Sequence, residues 1–385
     1  MKIPFLKEDL IRSGGLIFLS ILSASVIAFF ANLIISNILG PEQFGVFKTV
    51  IYFFAFLPAL IDFGINSSLT KYVSELKDKN KAKYLIIWFL KIKFLTYIFL
   101  IIVIFLFKDY IALYFLKDTS LNYLVLGGLL FTTSSFFSSF SSIVLGLQNF
   151  KIFSLSQFLN SSSSAILAVL LSPFGIFYMI LGWGIGPILG NIPTILYLSK
   201  KKIKTEKKFD IKKIFFKFSL PIYPIEVLAA VSNSIVPLLS LFFSQKLIGY
   251  YSFAFMFYYA ALLIPNSLSL VLFPKVSELN GLGKHHDAKN ILRKSFLYYS
   301  LIAIPGLIFA SFFSEWFINI AAQSYLPSLI IFKIIVSLSF IFGYNVIYIN
   351  YLKGLGKIRK FALFTLIQNI VLIAISLFLL NYISL

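Results

Sequence analysis

The sequence predicts an all-α membrane protein of about eleven transmembrane helices, in two parallel-repeat bundles of six and five around a central cavity. Three observations predict it. Of 385 residues, 59% are hydrophobic and only 12% charged, more apolar surface than a water-facing exterior can hide. The apolar residues fall in runs of about 20 or more, the length that crosses a bilayer. The basic residues alternate along the chain, with 27 of 34 lysines and arginines in the N-terminal segment and every second connection between runs.

The runs are 14–38, 46–70, 84–107, 121–146, 152–173, 174–199, 218–243, 247–273, 295–313, 326–352 and 361–382. The first follows Lys2, Lys7 and Arg12, is too long for a signal-peptide core and lacks a small-residue cleavage site, so it reads as a retained span. Gly40-Pro41 separates it from the second. The lysine-rich 71–83 loop separates the second from the third, and Lys108 to Asp118 the third from the fourth. Gln148 to Lys151 opens the fifth, and Ser172-Pro173-Phe174-Gly175 is a tight turn before the sixth. Nine lysines crowd 200–217 ahead of the seventh. Ser244 to Lys246 precedes the eighth, and the basic 275–294 and 353–360 loops precede the ninth and eleventh, with the tenth between. The charge alternation places the N-terminus in the cytoplasm of a multi-pass cell-membrane protein.

The two halves repeat. Tyr72-Val73-Ser74-Glu75-Leu76 matches Lys275-Val276-Ser277-Glu278-Leu279, Gly45 matches Gly249, and Gly146-Leu147 matches Gly354-Leu355, all at nearly one offset. A unit of six spans is even, so both copies start on the same side and the repeats are parallel. The organisation expected is a six-helix bundle over 1–199, a basic cytoplasmic connector over 200–217 and a five-helix bundle over 218–385, the second ending one helix short of the first.

Several loops resemble one family. Leu39-Gly40-Pro41-Glu42-Gln43-Phe44-Gly45, Asp62-Phe63-Gly64-Ile65 and Lys71-Tyr72-Val73 are similar to segments of polysaccharide flippases. So are Phe218-Ser219-Leu220-Pro221, Ile248-Gly249-Tyr250-Tyr251-Ser252, Leu272-Phe273-Pro274-Lys275-Val276-Ser277 and Gly354-Leu355-Gly356-Lys357. The chain resembles, over nearly its whole length, the polysaccharide transport branch of the multidrug/oligosaccharidyl-lipid/polysaccharide exporter superfamily. The resemblance implies a two-bundle fold whose cavity opens to one side at a time. It implies a lipid-diphosphate-linked oligosaccharide as substrate, membrane lipids and polysaccharide-assembly enzymes as partners, and a monomer. A multidrug or small-cation exporter of the same fold, and an inactive truncated copy, stay open as alternatives.

Other classes fall away. With no Cys and two His there is no thiol nucleophile, disulfide or zinc-thiolate site, and no metal site or cofactor is expected. The net charge of +20 sits in short loops between spans, the pattern of a membrane protein and not of a nucleic-acid binder. No Walker A segment occurs, and Gly182-Trp183-Gly184-Ile185-Gly186 lies inside an apolar run, where small residues serve helix packing. Outward loops are short and poor in carboxylates, so no catalytic residues are assigned and an enzyme is not expected.

Charges within spans are expensive and mark candidate sites. Asp62 reads either as a cavity carboxylate for a coupling cation or proton, or as a helix-end carboxylate paired with Lys71. Glu226, beside Pro221 and Pro224 in a bent helix, reads as a second ion-coupling carboxylate or as the partner of a connector lysine. A diphosphate needs cations, so Arg12 and Lys333 are candidates for substrate binding, while Lys48, Lys91 and Lys93 read as snorkelling to the surface. Ser135, Ser138 and Ser142 share one helical face and, with Asn160, are candidates for a sugar-binding wall or for close packing.

Overall fold

The computed structural model describes residues 5–75, 83–200 and 211–384. Most of the basic connector falls outside these. Arg12 lies in a stretch of helix whose side chains are likewise outside the described set. The described residues are almost wholly helical, with no strand among them. Nine described helices are long and apolar enough to cross a membrane. The nine are compatible with the eleven runs. The run 18–60 contains two expected spans joined in one helical stretch, and the expected seventh span is broken into short pieces.

The chain forms two compact units, residues 1–38 with 46–242 and residues 39–45 with 243–385. In the first unit, α1 (Phe5–Leu60) runs unbroken except at Gly40, whose φ of 69° suits a residue without a Cβ. Helix α1 stops at a turn over 61–64, and α2 (Ile65–Glu75) resumes beyond it. The expected second span is therefore discontinuous at Asp62-Phe63-Gly64. Next come α3 (Lys83–Ile111), closed by a π-helical turn over Ala112–Leu116, and α4 (Asn122–Gly128) with α5 (Ser134–Gly146), joined by a 3₁₀ turn. Then follow α6 (Phe150–Leu170) and α7 (Ile176–Lys200). A Cβ on Gly186 would lie 1.8 Å from Ser164 Oγ and 2.5 Å from Asn160 O, so α6 and α7 touch nearly backbone to backbone. After α8 (Ile211–Ile214) a π-helical segment, Phe215–Ser219, leads into α9 (Leu220–Asn233), and α10 (Ile235–Ser240) closes the unit.

The second unit contains α11 (Gln245–Gly281), α12 (His285–Ile308), α13 (Ser314–Ala321), α14 (Leu329–Gly354) and α15 (Ile358–Ser384). Its core is aromatic. Tyr325 is fully buried, stacked on Phe253 at 4.3 Å between ring centroids and edge-on to Phe44 at 6.1 Å. The segment 39–45 packs onto the start of α11 through two glycines. A Cβ on Gly45 would lie 1.9 Å from Gln245 O, and one on Gly249 would lie 1.7 Å from Pro41 O. Each glycine thus meets the carbonyl four residues before the other, the reciprocal pattern of a local two-fold contact.

The other matched glycines also make matched contacts, one in each unit. A Cβ on Gly146 would lie 2.9 Å from Val73 and 3.0 Å from Thr70 O, while one on Gly354 would lie 2.8 Å from Val276 and 3.1 Å from Phe273 O. Around Val73 cluster Leu69, Leu85, Phe89 and Ile143; around Val276 cluster Leu272, Leu279, Leu292 and Ile347. The sequence repeat is therefore also a repeat of packing.

Candidate functional site

The site is built where the second span breaks. At the turn, Phe63 and Gly64 have φ of 49° and 71°. Gly64 packs so tightly that a Cβ would lie 2.1 Å from Ser219 O, the last residue of the π-helical segment. Ser68 and Ser219 share a hydrogen bond through their hydroxyls. Phe63 packs on the Tyr223 ring at 5.1 Å, and the Tyr223 hydroxyl donates to Leu60 O at 2.7 Å, using a carbonyl at the helix end. Two irregular backbone segments, 61–64 and 215–219, thus brace each other. Irregular backbone at membrane depth is tolerated where protein buries it or where it lines a cavity.

Asp62 is buried at this break. Its Oδ1 accepts from Lys93 Nζ on α3 in an ion pair, and its Oδ2 accepts from the backbone N–H of Asn66 at 3.2 Å. The second contact satisfies an otherwise orphaned amide in the first turn of α2. Lys93 is 0% exposed. Glu226 of α9 is half-buried and takes a hydrogen bond on Oε1 from Ser67 Oγ. Its carboxyl faces the same cavity as Asp62.

Asp62 and Glu226 both line a cavity of about 400 Å³, together with Ala55, Pro58, Asn66 and Ser138. Asn66 donates to Ser138 Oγ at 3.0 Å and accepts from Ser139 at 2.8 Å, so the polar wall continues onto α5. Two carboxyls, a buried ammonium and a row of amide and hydroxyl groups can hold and release a positive charge inside an apolar surround.

The two ion-coupling candidates are therefore brought together, and Ser138 joins them. Ser135 is fully buried beside the cavity and does not line it. The Ser142 carbonyl accepts from Thr70 at 3.3 Å, a packing contact between α2 and α5. Asn160 lies against Gly186 and Gly190 in the α6–α7 contact. Lys333 is half-buried in a pocket of its own in the second unit, with Ser311, Ser337 and the apolar Ile334, Leu338 and Ile341.

Two lysines read as snorkelling are corrected. Lys93 is enclosed and paired with Asp62, which in turn does not pair with Lys71. Lys71 instead lies over the Phe218 ring at 4.0 Å. Lys48 is 4% exposed, donates to Asn32 and sits 5.5–5.8 Å from the rings of Phe47, Tyr52 and Trp183. Depth gives the missed signal for Lys93. Ten residues into α3 is about 15 Å of rise, beyond what a lysine stem spans back to the surface.

The nine long apolar helices among the described residues define a multi-pass membrane protein. Residues 10–280 match the polysaccharide biosynthesis protein family, and the chain belongs to it. Two uncharacterized membrane proteins of Methanocaldococcus jannaschii are each 25% identical. One match covers 94% of this chain and 90% of the relative, the other 95% and 79%. Among solved structures, the fold is similar to an inward-facing multidrug resistance MATE family transporter of the MOP superfamily (TM-score 0.68, 15% identity, covering 94% of this chain and 87% of that one). It is also similar to the lipid II flippase MurJ in an inward closed conformation (TM-score 0.62, 17% identity, 95% and 87%).

Proposed function

We propose that this protein is a flippase. It moves a lipid-diphosphate-linked oligosaccharide across the cytoplasmic membrane for surface polysaccharide synthesis, by alternating access coupled to an ion at Asp62 and Glu226. The observation that carries this reading is a charged, cavity-lining site at a discontinuous helix, in a chain of the polysaccharide biosynthesis protein family. Ser138 with Asn66, on the cavity of the first unit, are the groups proposed to meet sugar hydroxyls; Arg12 in the first unit and Lys333 in its own pocket of the second are each proposed separately as a cation for an anionic headgroup. The proposed orientation, with the N-terminus in the cytoplasm, is supported by the basic residues of alternate loops.

The test is transfer of a labelled lipid-linked oligosaccharide in proteoliposomes, read by its accessibility to a membrane-impermeant reagent. Protein-dependent transfer is expected, along with accumulation of the lipid on the cytoplasmic face of cells lacking the gene. Transfer unchanged by removing the protein would refute the reading.

A second reading, export of a small organic cation, is favoured by one feature: among the described residues, this cavity is lined by two carboxylates and by no lysine or arginine. Efflux of a cationic dye by the same vesicles, with no lipid-linked saccharide transfer, would select it.

A further inference from the structure

The two carboxylates of the cavity do not have equal freedom. Asp62 is occupied on both oxygens, by Lys93 and by the Asn66 amide, and these contacts hold the start of α2. Glu226 takes a single hydrogen bond, from Ser67, and presents the rest of its carboxyl to the cavity that Asp62 also lines.

The charges close in one way. Asp62 and Lys93 cancel, leaving one negative charge on Glu226. The groups that face Glu226 are Asp62 from the turn, Lys93 from α3 and Ser67 from α2. Tyr223 on its own helix has given its hydroxyl to Leu60.

We infer that Lys93 is a positioning residue. It commits Asp62 to the fixed framework of the helix break and leaves Glu226 as the carboxyl that takes up and releases the site's one mobile positive charge. That charge is either a proton or a monovalent metal cation. The inference rests on the ion-coupled reading above and divides its two carboxylates into a fixed and an exchanging one. It also explains why a lysine is fully enclosed at this depth. Without Lys93 the cavity would hold two negative charges, and the carboxyl that exchanges would no longer be defined.

The test uses the full-length protein in lipid vesicles and infrared difference spectroscopy of protonated carboxyl groups across a pH titration. Sodium and choline salts separate a metal cation from a proton. In the wild type one membrane-embedded carboxyl should titrate, and sodium should compete with it only if the mobile charge can be a metal ion. Glu226→Gln should abolish the band. The paired substitution Asp62→Asn with Lys93→Met removes no net charge and should keep the band. Lys93→Met alone should add a second titrating carboxyl, that of Asp62, and Lys93→Arg should restore a single band.

A band that survives Glu226→Gln and disappears in the paired variant would overturn the assignment, as would a wild type with no titrating carboxyl. Monodisperse elution and unchanged helical signal show that each variant has folded. Loss of lipid-linked saccharide transfer with the Glu226 band intact counts against the substrate reading alone. Absence of the band with transfer intact counts against this assignment alone.

Discussion

At the residue scale, the site depends on positions that admit little change. Gly64 combines a left-handed backbone with a missing Cβ that would otherwise strike Ser219 O at 2.1 Å. Gly64→Ala is expected to cost about 1–2 kcal/mol for the backbone conformation alone, with the steric overlap added. A lowered unfolding temperature in detergent checks it. Lys93→Met leaves Asp62 buried and unpaired, a change that costs about 3–5 kcal/mol when a buried pair loses one partner. Adding Asp62→Asn should recover much of that loss, and the difference in unfolding temperature between single and double variants measures it. Asp62 and Glu226 were legible in the sequence as carboxylates inside apolar runs. Their partners were not, because Lys93 lies 31 residues from Asp62 and Ser67 lies 159 from Glu226. No periodicity reports pairing at such separations.

At the element scale, apolar runs revealed where helices lie and concealed where they break. Asp62-Phe63-Gly64 sits in an uninterrupted run, and only its left-handed backbone separates α1 from α2. The prolines of 218–243 did signal irregularity, which takes the form of a π-helical segment and two short helices. The glycines of α7 announced close packing correctly, since small residues at a spacing of four can serve little else in an apolar helix. Gly186→Leu is expected to push α6 from α7 and to remove most of the monodisperse protein, as gel filtration would show. The serine face of α5 was ambiguous for a physical reason: hydroxyls that bond the preceding turn of their own helix serve packing and cavity equally well. The structure splits them, with Ser138 on the cavity and Ser135 inside.

At the scale of the whole molecule, the repeat is the feature that sequence and structure share most fully. Gly146 on Val73 and Gly354 on Val276 are one contact made twice, in different units. Gly146→Val and Gly354→Val should therefore destabilise by similar amounts. Parallel losses of folded yield would bear this out, and a large loss in one beside none in the other would oppose it. The six-and-five organisation is a proposal that rests on the repeat. Residues 39–45 pack with the second unit and 211–242 with the first.

The Asp62–Lys93 pair has a consequence for how the chain is made. Synthesis runs from the N-terminus, so Asp62 reaches the translocon before Lys93 exists. Each charge alone opposes partition into lipid by about 2.5–3.5 kcal/mol near a helix centre. Together they enter as a neutral couple. The second and third spans should therefore pass into the bilayer as one hairpin, with the second held back until the third arrives. A nascent chain stalled before residue 83 would leave its second span unintegrated, although that span precedes the stall.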